Sequence, residues 1–374
     1  MPAPALKPFK LHIPDQAIAD LRERLARTRW PDEPPLEPWS TGTSLVYMQE
    51  LVEYWRTGFD WRAWEAKLNA LPQFTVPLCG IEIHFIHLAS TRRDAMPLLL
   101  LHGWPGSVFE FHKLIPLLAE DFSIVAPSLP GYTLSFKAGQ KRFGFDEIAD
   151  SFAALMSDVL GYRRFAAQGG DWGAFIASVL GHRHAERLIG IHLNLLAVRR
   201  DPKMGDAHKP YLAQLNHWLK EETGYQWIQG TKPQTLAFGL SDSPAGLAAW
   251  MVEKFRAWTD CGGNPENAVS RDEMLANISL YWFTGAIGAS FWPYYARMHG
   301  PWPIPEGTTV DVPMGYAEFP KEILRPPRAL AERAYTDIRR WSEMPKGGHF
   351  AALEQPEALA REVKEFFRAL RAEV

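Results

Sequence analysis

The segment from Gln168 to Ala174 constrains the fold of this chain more than any other part of the sequence. The segment 164–167 before it, which is apolar after Arg164, predicts a strand, and residues 172–180 after it predict a helix. A strand, a tight turn and a helix in this order form a nucleophile elbow, in which one residue projects from the tip of the turn. That residue is usually the serine of a Gly-x-Ser-x-Gly pattern, but in this chain it is Asp171.

The residues around Asp171 agree with an elbow but do not establish it. The pattern reads GGDWG at 169–173, and small residues suit a strained turn whose helix packs close to its strand. An aspartate at the start of a helix is also a common N-cap. The two interpretations, nucleophile and helix cap, stay open until the rest of the chain is considered.

Short segments on both sides of the elbow predict the strands of an open sheet. They lie at residues 96–101, 123–127, 188–196, 309–316 and 334–343. The wholly apolar run at 96–101 is typical of a strand in a parallel sheet that is buried on both faces. Between them, Asp146 can cap a helix that ends at Gly161, and Pro356 begins a last helix with Leu359, Val363, Phe366 and Leu370 on one face. This alternation predicts the α/β class, with a mostly parallel central sheet flanked by helices.

Two segments depart from the alternation. Residues 1–90 predict an N-terminal extension, which has a helix capped by Asp15, helical segments at 45–54 and 61–68, and a hairpin at 74–88 that turns at Cys79-Gly80. Residues 197–305 are helix-like and rich in aromatic side chains. We interpret them as a lid over the carboxyl ends of the strands, where open α/β sheets bind ligands. The predicted organisation is extension 1–90, core 91–196, lid 197–305 and core 306–374.

The composition excludes several classes of protein. The 374 residues carry a net charge of −3, which gives no electrostatic basis for binding nucleic acid or an anionic membrane. The first residues lack the apolar core of a signal peptide, and no run of about 18 apolar residues predicts a transmembrane helix. The two cysteines provide neither a disulfide framework nor metal-ligand spacing. We therefore expect a cytoplasmic protein without a membrane anchor, and a homodimer is the default expectation for its assembly.

An elbow nucleophile needs a base, and the base needs an acid that orients it, in the chain order nucleophile, acid, histidine. His349, within GGHF at 347–350, lies after the last predicted strand and before the last helix. The acid should follow the preceding strand, where Asp311, Glu318 and Glu322 are candidates, and the position of Glu322 favours it over Glu318. The oxyanion hole needs two backbone amides, and these are expected from Trp172 and Trp104, with a cis Trp104–Pro105 peptide.

Several sequence blocks together resemble the epoxide hydrolases of the α/β-hydrolase superfamily, specifically the microsomal-type branch with an N-terminal epoxide-hydrolase domain. The blocks are HGWPGS at 102–107, GGDWG at 169–173, GYQWIQGTKP at 224–233, DSPAGL at 242–247, FPKE at 319–322 and GGHF at 347–350. The resemblance is nearly full length. The chain lacks the membrane anchor of the animal members, so the resemblance implies a soluble protein.

The resemblance also implies roles for individual residues. Asp171 would be the nucleophile, His349 the base and Glu322 the acid behind it. The family uses two lid tyrosines as acids, which match Tyr225 and Tyr294, although the neighbouring Tyr295 leaves the second assignment open by one residue. The side chains expected to contact substrate are those of Trp104, Trp172, Trp227 and Phe350.

A carboxylate at the elbow is suited to alkyl centres, because its attack on an epoxide carbon leaves an ester that water can cleave. The phenols would protonate the expelled alkoxide, and no metal or cofactor is required. We therefore expect hydrolysis of a small apolar epoxide to a vicinal diol. Haloalkane dehalogenase is the alternative with the same nucleophile, but halide release needs no paired tyrosines. A serine-type esterase lacks its elbow serine here, and a non-catalytic binding protein would not need all five site positions filled.

Overall fold

The computed structural model describes residues 5–199 and 209–371 and contains one nine-stranded sheet across those residues. The strands are β1 (Lys7–Phe9), β2 (Gln73–Leu78), β3 (Ile81–Leu88), β4 (Met96–Leu101), β5 (Phe122–Pro127), β6 (Phe165–Gly169), β7 (Leu188–Leu193), β8 (Met314–Glu318) and β9 (Ile338–Glu343). Their spatial order is β1-β2-β3-β5-β4-β6-β7-β8-β9. The first three strands and the β3–β5 pair are antiparallel, and the other pairs are parallel. The α/β-hydrolase fold predicted from the sequence is confirmed.

The strand order reverses around β4, and this reversal positions the functional residues. The chain passes from β4 to β5 on one side and then returns to place β6 on the other side. Leu101 of β4 pairs with Gly169 of β6, so the segments that follow both strands leave the same edge of the sheet. Ligands of open α/β sheets bind in the crevice at such a switch point. HGWPGS and the elbow therefore meet there.

Helices cover both faces of the sheet and form the segment between β7 and β8. The α-helices are α1 (Asp15–Ala26), α2 (Leu45–Thr57), α3 (Trp61–Asn69), α4 (Leu114–Leu118), α5 (Phe145–Ala154), α6 (Asp171–Arg183), α7 (Lys209–Glu221), α8 (Gly224–Thr231), α9 (Pro233–Asp242), α10 (Pro244–Trp258), α11 (Arg271–Thr284), α12 (Ile287–Ser290), α13 (Trp292–His299), α14 (Arg328–Ala331), α15 (Ala351–Glu354) and α16 (Pro356–Leu370). No helix of the described ranges is long and apolar enough to cross a bilayer.

The extension packs against the helices between β7 and β8 through polar contacts as well as apolar ones. The Trp55 indole donates to the Ser279 hydroxyl at 3.0 Å, and the Tyr54 hydroxyl donates to Asp272 at 2.7 Å. The Thr43 hydroxyl donates to the carbonyl of Ala249 at 2.8 Å. The four predicted segment boundaries stay predictions, and residues 1–4, 200–208 and 372–374 of those segments lie outside the described ranges.

Two predicted helix caps are wrong. Asp15 is the first residue of α1, whose N-cap is Pro14, so the Asp15 carboxylate instead pairs with Arg62. Asp146 lies inside α5, whose N-cap is Gly144, and there the Glu147 carboxylate accepts the Gly144 amide at 2.9 Å. A cap is set by where the backbone leaves the extended region, and an acidic residue in the first turn is stabilised by the helix dipole in either case.

Two predicted strands are shorter at their N-terminal ends. Pro313 has no N–H to donate to a ladder, so β8 begins at Met314, and Val310 forms only an isolated bridge with Tyr335. The residues before β9 form a turn, in which the amide of Tyr335 donates to the carbonyl of Ala331, so β9 begins only at Ile338. The hairpin at Cys79-Gly80 and the last helix from Pro356 are confirmed.

Candidate active site

The elbow has the strained geometry that the motif predicts. β6 ends at Gly169, Gly170 is the N-cap of α6, and Asp171 is the first helical residue with a φ of 47°. A non-glycine residue rarely adopts this left-handed conformation, which costs about 1–3 kcal/mol and persists where the surroundings enforce it. The helix-cap interpretation of Asp171 is therefore wrong, since Gly170 is the cap and the Asp171 side chain makes no cap hydrogen bond.

The glycines of the elbow are required by close backbone contacts. A Cβ on Gly173 would lie 2.0 Å from the carbonyl oxygen of Leu101 in β4. A Cβ on Gly169 would lie 2.3 Å from the carbonyl oxygen of Gly173. Both obstacles are backbone atoms, which cannot rotate away as a side chain can. The helix therefore approaches the sheet closely enough to hold the tip of the turn at the strand ends.

Replacing Gly173 by Ala is expected to lower the free energy of unfolding by at least about 2 kcal/mol, because overpacking against backbone forces the helix away from the sheet. Urea unfolding followed by circular dichroism measures the change. Gly239→Ala is the matched control: Gly239 lies within α9, a Cβ there meets nothing within 4 Å, and we expect a gain of up to about 1 kcal/mol. Equal stability of Gly173→Ala and the wild type would contradict the close contact.

The structure brings Asp171, His349 and Glu322 together in one chain of contacts. His349 Nε2 lies 3.2 Å from Asp171 Oδ2, and Nδ1 of the same ring lies 2.6 Å from Glu322 Oε1. Glu322 Oε1 also accepts the amide of Ile323 at 2.7 Å. The His349 and Glu322 side chains are 1% and 0% exposed, whereas the Asp171 side chain is 17% exposed. Asp171 is therefore the member of the chain that a ligand can reach.

The electrostatics of this chain favour a charged imidazole. Burial alone lowers the pKa of His349, but the charges of Glu322 and Asp171 outweigh burial and raise that pKa to about 10. The two carboxylates and the ring therefore form a charged triad. Loss of the negative charge on Asp171 would lower the pKa of His349, because one of the two stabilising charges would be gone.

The loop after β4 supplies one donor to Asp171. The amide of Trp104 donates to Asp171 Oδ1 at 2.7 Å, and the Trp104–Pro105 peptide is cis, as the sequence predicts. Trp172 is the second residue of α6, and helix geometry gives its amide no acceptor within the helix. A Cβ on Gly103 would lie 2.1 Å from Asp171 Oδ1, so the glycine permits the loop to approach the carboxylate.

An aromatic cluster covers this site from the helices between β7 and β8. The Tyr225 and Tyr294 rings lie 5.6 Å apart, and Trp104 contacts both of them, at 5.5 Å and 5.8 Å. Tyr294 also packs on Trp172 at 4.7 Å. Burial and then the charge of Asp171 raise the pKa of Tyr225 far above its usual value. Burial, and after it the interactions with Tyr225 and Asp171, also raise the pKa of Tyr294 well above its usual value. Both phenols therefore hold their protons.

The structure separates the remaining candidates. Tyr295 stacks on Trp292 and on His299, at 5.0 Å and 4.0 Å, and has no contact with the Trp104 cluster among the ring pairs of the described residues. Glu318 is half-buried at the end of β8, and the Asp311 carboxylate accepts the hydroxyls of Thr309 and Thr336. Glu322 and Tyr294, rather than these neighbours, therefore lie in the site.

The predicted contact of Trp227 with substrate is wrong for this structure. Its side chain is 59% exposed, whereas Tyr225, two residues earlier on α8, is 4% exposed. Two residues turn a helix by roughly 200°, so the two side chains point to opposite faces. The Phe350 ring does join the site, at 5.2 Å from the His349 ring and stacked on Phe255 at 4.6 Å.

A small cavity of about 20 Å³ lies against Asp171 and His349, and its polar lining was not predicted from the sequence. Glu110, Gln168 and Asn194 line it, and Gln168 donates to Asn194 at 2.9 Å. Burial raises the pKa of Glu110 to about 8. A lone carboxylate within the apolar residues Val108–Phe111 was the signal that could have identified Glu110. Trp104 lines this cavity, but neither Tyr225 nor Tyr294 does, so the cavity adjoins the aromatic cluster on the side away from the two phenols.

Comparisons with known proteins identify the family of this chain. The family model described as epoxide hydrolase N terminus matches residues 6–111, and the one described as alpha/beta hydrolase fold matches residues 96–225. The chain is 45% identical to a protein of Stigmatella aurantiaca, over 98% of this chain and 86% of that one. It is 36% identical to epoxide hydrolase 1 of Oryctolagus cuniculus, over 97% of this chain and 88% of that one.

Solved structures give the same result. The juvenile hormone epoxide hydrolase of the silkworm Bombyx mori superposes with a TM-score of 0.89 at 31% identity, covering 99% of this chain and 96% of that one. The Aspergillus niger epoxide hydrolase superposes with a TM-score of 0.85 at 31% identity, covering 98% and 97%. Because both the extension and the site-bearing core match, the chain belongs to the epoxide hydrolase family of α/β-hydrolase-fold enzymes.

Proposed function

We propose that the protein converts small apolar epoxides to vicinal diols in two half-reactions, the first of which forms an ester on Asp171. A carboxylate oxygen of Asp171 attacks an epoxide carbon, and the carbon–oxygen bond of the ring breaks. Its electrons pass to the ring oxygen, which takes a proton from a phenol of the pair Tyr225 and Tyr294. The observation that carries this proposal is the position of Asp171 between His349 and the Trp104 amide, beneath two buried phenols.

The phenols suit the first half-reaction because they are protonated and can donate those protons to the ring oxygen as charge develops on it. Burial keeps the pKa of each phenol above its usual value, so both protons are present at neutral pH. An expelled alkoxide is a stronger base than a phenolate, so the proton transfers as the ring opens. Halide release would need no proton, and the paired phenols would then have no role in it.

The second half-reaction frees the diol by attack of water on the ester. Esterification removes the charge of Asp171, so the pKa of His349 falls and the ring releases its proton to solvent. The neutral ring can then accept a proton from the attacking water, and it takes its resting proton back from solvent once the Asp171 carboxylate is restored. The amides of Trp104 and Trp172 stabilise the tetrahedral oxyanion. The protonated His349 gives its proton to the departing alcohol, and the second water proton restores the phenol. We assign the water's approach to the cavity lined by Glu110, Gln168 and Asn194.

Heavy-oxygen water tests the ester directly. In a single turnover with enzyme in excess over styrene oxide, the diol should contain no heavy oxygen, because its new oxygen comes from Asp171. The heavy oxygen should appear in the peptide that contains Asp171. A diol labelled in the first turnover would mean direct attack by water and would overturn the proposal. Bromoalkanes in parallel should release little bromide, and rapid bromide release without epoxide turnover would favour dehalogenation.

The epoxide's identity, the homodimer and the cytoplasmic location are parts of the same proposal. The apolar epoxide follows from the aromatic surfaces of Trp104, Trp172 and Phe350 around the nucleophile. Faster turnover of small polar epoxides than of aryl epoxides would count against it. The homodimer and the location stay predictions from the sequence, for which sedimentation and cell fractionation are the measurements.

A further inference from the structure

Lys254 is a buried cation beside the aromatic cluster, and the proposed reaction does not yet use it. It lies on α10, and its residue is 5% exposed. Its Nζ lies 4.5 Å from the ring centroid of Tyr225 and 5.4 Å from that of Trp258. A single ion pair holds it among the described contacts, with the adjacent Glu253 at 2.5 Å. Burying a lysine costs free energy, so we expect this buried ammonium, which lies over an aromatic face, to have a function.

The two phenols above Asp171 have different surroundings. The Tyr225 hydroxyl accepts a hydrogen bond from the Gln226 amide at 3.1 Å, and the Lys254 cation lies over its ring. Both contacts favour negative charge on Tyr225, the first through its oxygen and the second through the ring. The interaction between the two hydroxyls raises the pKa of Tyr294 and acts to lower that of Tyr225, and no cation–π contact to the Tyr294 ring is found within the described ranges. Charge is therefore better tolerated on Tyr225 than on Tyr294.

We propose that Lys254 is a positioning residue that stabilises the developing phenolate of Tyr225, so that Tyr225 is the proton donor in ring opening and Tyr294 donates only a hydrogen bond. This inference rests on the proposed function, because it assigns different roles to Tyr225 and Tyr294 in the first half-reaction. The proton passes from the Tyr225 hydroxyl to the epoxide oxygen as the Asp171 ester forms. The phenolate remains beneath the ammonium until a proton from the second half-reaction restores it.

The test follows ester formation alone, in a His349→Gln background in which hydrolysis is blocked. Intact-mass spectrometry after mixing with styrene oxide gives the rate at which the adduct appears. Lys254→Met keeps the length and apolar stem of the side chain but removes the charge, and we expect it to slow ester formation about tenfold. Lys254→Arg keeps the charge and should restore most of the rate.

A double-mutant cycle separates this role from a structural one. Lys254→Met should have little further effect when Tyr225 is already Phe, and its full effect when Tyr294 is Phe. Glu253→Gln is the matched control, because it removes the partner of the ion pair and leaves the cation. We expect this variant to form ester at least as fast as the parent.

Three results would overturn the inference. They are an unchanged rate in Lys254→Met, equal slowing by Glu253→Gln, or slowing by Lys254→Met that persists undiminished without the Tyr225 hydroxyl. Circular dichroism and the unfolding midpoint of each variant identify misfolding, and Lys254→Gln, which also removes the charge, takes the place of Lys254→Met in the same cycle if Lys254→Met unfolds. Absence of ester in the His349→Gln parent itself would instead overturn the proposed function, and this inference with it.

Discussion

Replacing His349 by Gln is expected to lower steady-state turnover of an epoxide by about 10³- to 10⁴-fold and to leave an ester on Asp171. General-base catalysis typically contributes 10²- to 10⁴-fold, and in the proposed reaction the same ring also returns a proton to the departing alcohol. The ring lies within 3.2 Å of Asp171 and 2.6 Å of Glu322, so no other imidazole can replace it without a rearrangement of the site. Ester formation should continue, because Asp171 and the phenols are intact.

Intact-mass spectrometry measures this result as a mass increase equal to that of the epoxide, and peptide mapping locates it on Asp171. Glu318→Gln is the control, since this half-buried acid lies at the end of β8 and not against His349, and it should turn over like the wild type. Glu322→Gln should fall between the two, because a neutral amide holds the ring but lowers the pKa of His349. Wild-type turnover without adduct in His349→Gln would exclude this residue as the base.

The double substitution Tyr225→Phe with Tyr294→Phe is expected to slow ester formation by about 10⁴-fold. Without either phenol the expelled alkoxide has neither a proton nor a hydrogen bond, in a site from which Trp104 and Trp172 exclude much of the water. The two rings lie 5.6 Å apart and in the proposed reaction act on one oxygen, so their single effects should not add. The Tyr225 variant should be the slower of the two single variants.

Rapid-quench measurement of the ester in single turnovers gives the rate for each variant. Tyr295→Phe is the matched control, because this neighbour stacks on Trp292 and His299 outside the cluster. Its rate should equal that of the wild type. If the double variant formed ester at the wild-type rate, the phenols would be packing residues only, and the ring oxygen would need another acid.

The sequence by itself determined the elements whose signal is local. An unbroken apolar run predicts β4, the alternating pattern predicts the hairpin of β2 and β3, and 3.6-residue periodicity predicts α16. The elbow could also be predicted from the sequence, since GGDWG contains the glycines that a strained turn requires. Asp171 and His349 could be selected from their positions after predicted strands, whereas position only favoured Glu322 over Glu318. These features depend on neighbours within a few positions, so a single sequence contains them.

Only the tertiary structure decided which of two neighbouring side chains faces the site. Tyr294 and Tyr295 have the same chemistry in sequence, but helical rotation turns one to Trp104 and the other to His299. The prediction that Trp227 contacts substrate is wrong for the same reason, because Trp227 lies on the face of α8 opposite to Tyr225.

Contacts between distant segments could not be predicted from the sequence either. The Glu110 carboxylate, the Lys254 cation and the acid Glu322 gain their significance from partners on other elements. Burial and distance across the fold set the pKa of His349 and the charge tolerance of Tyr225. These quantities exist only once the elements are packed, because the electrostatic interaction of two groups depends on their separation in space and on the solvent excluded between them.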